Sequence, residues 1–154
     1  MHYHLNAIQL LMQELGPQTS TVDAVVQHGE KTWAVQLNDE SIVLMEWDGE
    51  PERLVLSTDL GVPVEERRLD VYQLLLCYNL LWRESGGLKT ALGGPDGGAM
   101  LLYEWSGEQA TLMEMQTVLD NFSRVGAMWR SYIANGIGIE EVFPSLGPQL
   151  SDRV

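Results

Sequence analysis

The stretch Val71–Trp82 constrains this chain more than any other. It has the length and composition of a helix, with Asp70 placed to cap its first turn. Gly86 or Gly87 is placed to close its far end in a left-handed conformation. On a helical wheel it carries two apolar stripes. One is wide: Val71, Leu74, Leu75, Tyr78, Leu81 and Trp82. The second, Tyr72, Leu76 and Leu80, has i, i+4, i+8 spacing. A surface helix needs only one such stripe. Leaving the second in water forgoes roughly 5–9 kcal/mol, at ~1.5–3 kcal/mol for each large apolar side chain. Another copy of the same helix across a two-fold axis is the natural second partner. The chain is therefore expected to form a homodimer.

The 154 residues suit one domain with a core that needs no metal or disulfide staple. The single cysteine, Cys77, excludes an internal disulfide and reads as a buried core thiol. No basic leader and no apolar run of membrane-spanning length are present in the sequence, so neither export nor membrane insertion is expected. The net charge is −13, and residues 1–60 hold ten acids against only Lys31 and Arg53. Such a surface repels phosphate backbones and anionic membranes. It suits a basic partner, or one whose apolar segments must be kept from aggregating.

Leu5, Ile8, Leu11, Met12 and Leu15 recur at helical spacing until Gly16-Pro17, which predicts a helix over 4–15. Val22, Val25 and Val26 hint at a short strand. Residues 32–37, 41–47 and 53–58 read as a three-stranded antiparallel meander, with turns at 38–40 and 48–51. A charged connection over 59–69 leads to the helix at 70–85. Two apolar runs, 88–92 and 99–105, flank the glycine-rich 93–98 and predict a hairpin. Thr111 and Glu114 have capping-box spacing, and Met115, Leu119, Phe122, Gly126, Trp129 and Ile133 mark a final helix to about 134. The expected fold is α+β, ordered α-β-β-β-α-β-β-α, with helices packed on an antiparallel sheet. It occupies 1–134 as a single domain, and 135–154 reads as a loosely ordered tail.

Nothing in the sequence points to catalysis. His2 and His4 have no cysteine or carboxylate cluster beside them to complete a metal site, so no metal or other cofactor is expected. No serine or cysteine sits in a nucleophile context, and 93–98 lacks the Gly-Lys-Ser/Thr of a phosphate loop. The strand at 41–47 is apolar on both faces: Ile42 and Leu44 point one way, Val43, Met45 and Trp47 the other. Two readings stand for it. Either it is sandwiched in the core, or it floors an exposed apolar groove for a partner's segment. Met12, Met45, Met113 and Met115 suit either core or an adaptable binding surface, and so does Trp33.

The order of elements, together with four segments, resembles the Tir-chaperone (CesT-like) family, the class I chaperones of bacterial type III secretion. The segments are residues 10–16 (LLMQELG), 54–61 (LVLSTDLG), 74–81 (LLLCYNLL) before Gly86-Gly87, and the last helix with Phe122, Ala127 and Trp129. The resemblance covers about residues 5–133. It implies a cytoplasmic homodimer, not an enzyme, that binds the N-terminal region of a secreted effector in extended form before export, with apolar side chains in grooves and a strand added to a sheet edge. It places the dimer contact on the helix at 70–85. Tyr72, Leu76 and Leu80 are the candidates or, with the helix rotated, Leu74, Tyr78 and Leu81. Candidates for the effector groove are Val43, Met45 and Trp47, with Leu11 and Leu15. Two alternatives remain open from sequence: a chaperone-like protein that sequesters a transcriptional regulator or anti-activator, and a small α+β ligand-binding domain or enzyme.

Overall fold

The computed structural model describes residues 3–95, 97–106 and 110–136. The elements are α1 (Tyr3–Gln18), β1 (Val22–Gln27), β2 (Thr32–Leu37), β3 (Ile42–Gly49), β4 (Glu52–Gly61), a 3-10 turn (Glu65–Arg67), α2 (Arg68–Leu80), β5 (Lys89–Leu92), β6 (Ala99–Trp105) and α3 (Leu112–Asn135). Three helices pack on one six-stranded antiparallel sheet of order β1-β2-β3-β4-β6-β5, an α+β fold. The expected meander has four strands rather than three. β1 is the addition. Its register slips between Val22 and Ala24, and that bulge breaks the alternation by which a strand is recognised. The tail expected over 135–154 lies, beyond Gly136, outside the described residues.

Two helix ends also differ from expectation. α1 runs through Gly16-Pro17 to Gln18. Proline in the last turn removes one hydrogen bond near an end that has few left to lose. α2 begins at Arg68 and ends at Leu80, and Asp70 does not cap it: the N-cap is Arg67, with no side-chain cap bond. Asp70 instead lies in the first turn, where its negative charge interacts favourably with the positive end of the helix dipole. The chain then leaves through turns in which Gly86 and Gly87 have φ of 70° and 96°, the left-handed geometry foreseen for them. The capping expected of Thr111 is present, with Glu114 N–H donating to its hydroxyl at 3.2 Å.

The chain forms two compact units, residues 1–58 with 102–123 and residues 59–101 with 124–154. In the first, the inward faces of β2, β3 and β4 meet in register: Trp33 opposite Met45, Val35 opposite Val43, and Trp47 opposite Leu54. All six are buried, as are Leu5, Ile8, Met12 and Leu15 of α1 and Met115, Leu119 and Phe122 of α3. The i, i+3, i+4 spacing read along each helix is thus the spacing of its buried face. Gln116 fastens α3 to the end of α1, donating to Gln18 O at 3.0 Å and Thr19 Oγ1 at 2.9 Å.

In the second unit, Val71, Leu75 and Tyr78 of α2 are buried, with Trp129, Tyr132 and Ile133 of α3. Tyr78 and Tyr132 both meet Trp129 edge-on, at centroid distances of 5.4 and 6.1 Å. Asn79 clamps β5 to α2, donating to Thr90 O at 3.0 Å and accepting from Thr90 N–H at 2.8 Å. The hydroxyl of Thr90 donates to Leu75 O at 2.6 Å. Gly93 N–H closes the β5–β6 hairpin on Gly98 O at 2.6 Å. Within that loop Gly97 has φ of 87°, and a Cβ there would collide with the Tyr72 hydroxyl.

Candidate functional site

Two surfaces carry more apolar exposure than a small soluble domain needs. The first is the outer face of α2. Leu69, Leu76 and Leu80 are 69%, 73% and 62% exposed, and all lie on one stripe. Tyr72 of the same stripe is half-buried, its hydroxyl against Gly97. Trp82 and Leu92 are exposed as well, Trp82 lying under the Arg83 guanidinium at 4.9 Å. Of the two dimer candidates left open by the wheel, Tyr78 is buried in the chain's own core, and Leu74 and Leu81 are half-buried. The physical reason is Trp129, which takes the Tyr78 ring. Leu76 and Leu80 are the pair left facing outward. Cys77 beside them is half-buried rather than buried.

The second surface is on the first unit. β1 is the outermost strand and pairs only with β2. Between it and α1 runs a groove of about 490 Å³, lined in part by Met12, Gly16 and Pro17 on the helix and by Val25, Gln27 and Trp33 on the strands. The edge therefore offers backbone donors and acceptors beside a floor of mixed character, in which Gln13, Asp23 and Gln27 accompany the apolar residues. Val26 and Ile42, both exposed, add apolar area on the opposite face of the sheet.

The five residues expected to contact an effector do not form an open groove. Leu15, Val43, Met45 and Trp47 are buried, so β3 takes the sandwiched reading of its two. The reason is the pairing of its inner face with Trp33, Val35, Leu54 and Leu56 beneath α1. Leu11 alone is half-buried. Met12 and Met115 are core too, while Met113 is 75% exposed at the start of α3. The valines at 22, 25 and 26 hinted at the strand, and Met12 and Trp33 suited core or groove; what the sequence did not show is that this strand lies at the edge of the sheet, with a groove lined in part by those two residues between it and α1.

The electrostatics of the first unit are acidic and locally organised. Arg53 donates through Nε and Nη2 to Asp48 Oδ2 at 3.1 and 3.0 Å, and pairs with Glu104 Oε2 at 2.9 Å. The Glu50 N–H and then the Arg53 guanidinium hold the Asp48 carboxyl below its ordinary range. The hydrogen bond to Asp48 raises Arg53 in turn. His4 pairs with Glu52, tying the start of α1 to β4. Among the described residues no group of three or more His, Cys, Asp or Glu is placed to hold a metal ion. No described helix is long and apolar enough to cross a membrane.

Solved structures share this fold. A chain in the crystal structure of the ExsC–ExsE complex superposes with a TM-score of 0.67 at 19% identity, covering 84% of this chain and 95% of that one. A chain in the structure of the HopA1–SchA chaperone–effector complex gives 0.66 at 16% identity, covering 82% and 95%. Among curated proteins none matches in sequence. The profile of the Tir chaperone protein (CesT) family matches residues 10–130, which takes in α1 from Leu10, the whole sheet and most of α3. With that match over most of its length, the chain belongs to the Tir chaperone protein (CesT) family.

Proposed function

We propose that this chaperone works in the cytoplasm as a homodimer, without catalysing a reaction, and holds the N-terminal region of a type III secretion effector soluble and partly unfolded until export. The observation that carries the reading is the outermost strand β1 with its groove of mixed polar and apolar lining against α1. An extended segment pairs with the strand edge through backbone hydrogen bonds, and these tolerate many sequences. Its apolar side chains drop toward Met12 and Trp33. Leu11 reaches the segment from α1, while Leu15, Val43, Met45 and Trp47 are buried in the chain's own core and do not touch it. The net charge of −13 favours a segment that carries basic residues. The likeness to a chain of a chaperone–effector complex supports an effector as the partner. The outer stripe of α2, continued by Leu69, supplies the two-fold contact through Leu76 and Leu80.

Affinity capture of the unaltered protein from its own bacterium, followed by limited proteolysis of the complex, tests this. The expected result is an exported protein whose N-terminal segment alone resists the protease. Capture of a regulatory protein that is never exported, or of a partner protected as an intact globule, overturns it.

A further inference from the structure

In an antiparallel ladder, alternate residues turn both N–H and C=O toward the neighbouring strand, and those between turn both away. One bond to the neighbour therefore tells which residues of an outermost strand face outward. The outermost strands here are β1 and β5. On β5, Gly93 N–H donates to Gly98 O across the hairpin, so residues 93, 91 and 89 face β6 while 92, 90 and 88 face outward. The outward groups of Thr90 are already taken. The Asn79 amide donates to its carbonyl at 3.0 Å and accepts from its N–H at 2.8 Å. One side-chain amide thus supplies the donor and the acceptor that an added strand would bring to this position. Ser85 Oγ donates to the outward carbonyl of Leu88 at 3.3 Å. β5 runs only from Lys89 to Leu92, which leaves Leu92, its last residue, as the open position. Packing does not demand an amide at 79: the residue is exposed, and Val71–Trp82 is otherwise apolar or aromatic save for Gln73.

β1 gives the opposite result. His28 N–H donates to Thr32 O at 2.8 Å, and the register pairs Val26 with Ala34 and Ala24 with Gln36. Residues 24, 26 and 28 therefore face β2, and Val25 and Gln27 face outward. Among the described residues no group bonds to the outward N–H and C=O of these two. Their side chains line the groove against α1, so a strand seated on them lies beside that groove. Proteins close sheet edges to prevent unwanted pairing, and an edge left open is a place for another chain.

We propose that Asn79 acts as a surrogate strand that closes the β5 edge, leaving β1, at Val25 and Gln27, as the edge open to an extended partner segment. Asn79 is then a specificity residue that never touches the partner: it denies an extended chain a second place to pair. The β1 half of this rests on the reading of partner binding above, and the closure of β5 stands without it.

The test titrates the full-length chain with a capped peptide of alternating lysine and valine and follows backbone amide signals by NMR. In the natural chain, Val25 and Gln27 should shift while Thr90 and Leu92 stay put. In Asn79→Ala, Thr90 and Leu92 should shift as well. Shifts at Thr90 in the natural chain, or none there in the variant, overturn the proposal. A peptide that enters β5 only in the variant and never meets β1 supports the closure and refutes the reading of partner binding instead. Amide hydrogen exchange of the natural chain needs no variant. The Thr90 N–H should be protected about tenfold beyond those of Val25 and Gln27, although all three face outward from an outermost strand. Equal protection at the three positions overturns the proposal.

Discussion

Tyr78 shows how one side chain can be assigned once its neighbours are known. Its ring is buried edge-on to Trp129, and burial pushes its hydroxyl up to about 12, against smaller opposing effects of Arg124 and a bond to Ser85. The ionised form is disfavoured only in the folded chain, so the unfolded chain ionises first as pH rises. The contribution of the neutral hydroxyl to stability is whole below about pH 10, the ordinary tyrosine value, and is lost as pH climbs toward 12. Thermal melts between pH 9 and 12 should therefore fall more steeply for the natural chain than for Tyr78→Phe. Parallel curves would show that the ring is not shielded from water. From sequence, Tyr78 and Leu76 were equal candidates for the two-fold contact. Helical spacing identifies faces, but it does not say which face meets the core. That depends on Trp129, some fifty residues away, and no local pattern carries the information.

At the level of elements, the joint between α2 and β5 rests on Asn79 and Thr90. Asn79→Ala strands the N–H and C=O of Thr90, at a cost of about 1–3 kcal/mol for a buried polar group left unpaired. Urea titration should show a lower midpoint with an unchanged slope. A midpoint within error of the natural chain would mean that water replaces the amide without loss. Most elements were legible from their periodicity: α1, α3, β2 through β6 and the glycine hairpin all fall where spacing and turn residues put them. β1 was faint because its bulge at Asp23 shifts the valines out of alternation. The cap assigned to Asp70 failed because a 3-10 turn over Glu65–Arg67 leads directly into α2, leaving Asp70 inside the helix. The apolar inner face of β3 was read correctly as a face. Its depth was not legible, since burial of Met45 depends on Trp33 and Leu56 in the flanking strands.

At the level of the whole molecule, outward leucines on α2 and a large negative charge oppose each other. Apolar contact favours self-association, while like charge disfavours it except where the contact itself is neutral. Leu76 and Leu80 lie on a stretch of helix, Val71–Leu81, without a charged residue, so pairing there brings no acids into direct opposition. Light scattering should give twice 17.2 kDa for the natural chain and 17.2 kDa for L76E/L80E, whose new carboxylates would face one another. A variant that keeps the doubled mass would place the two-fold contact elsewhere.

The close approach of Gly97 to the Tyr72 hydroxyl binds two distant positions to a shared ancestry. A lineage keeping the tyrosine can hardly accept any other residue at 97, in either space or backbone angle. Glycine can be given up only after the tyrosine has shrunk and the loop has relaxed its turn. The order of such changes, read across descendants, would therefore run one way.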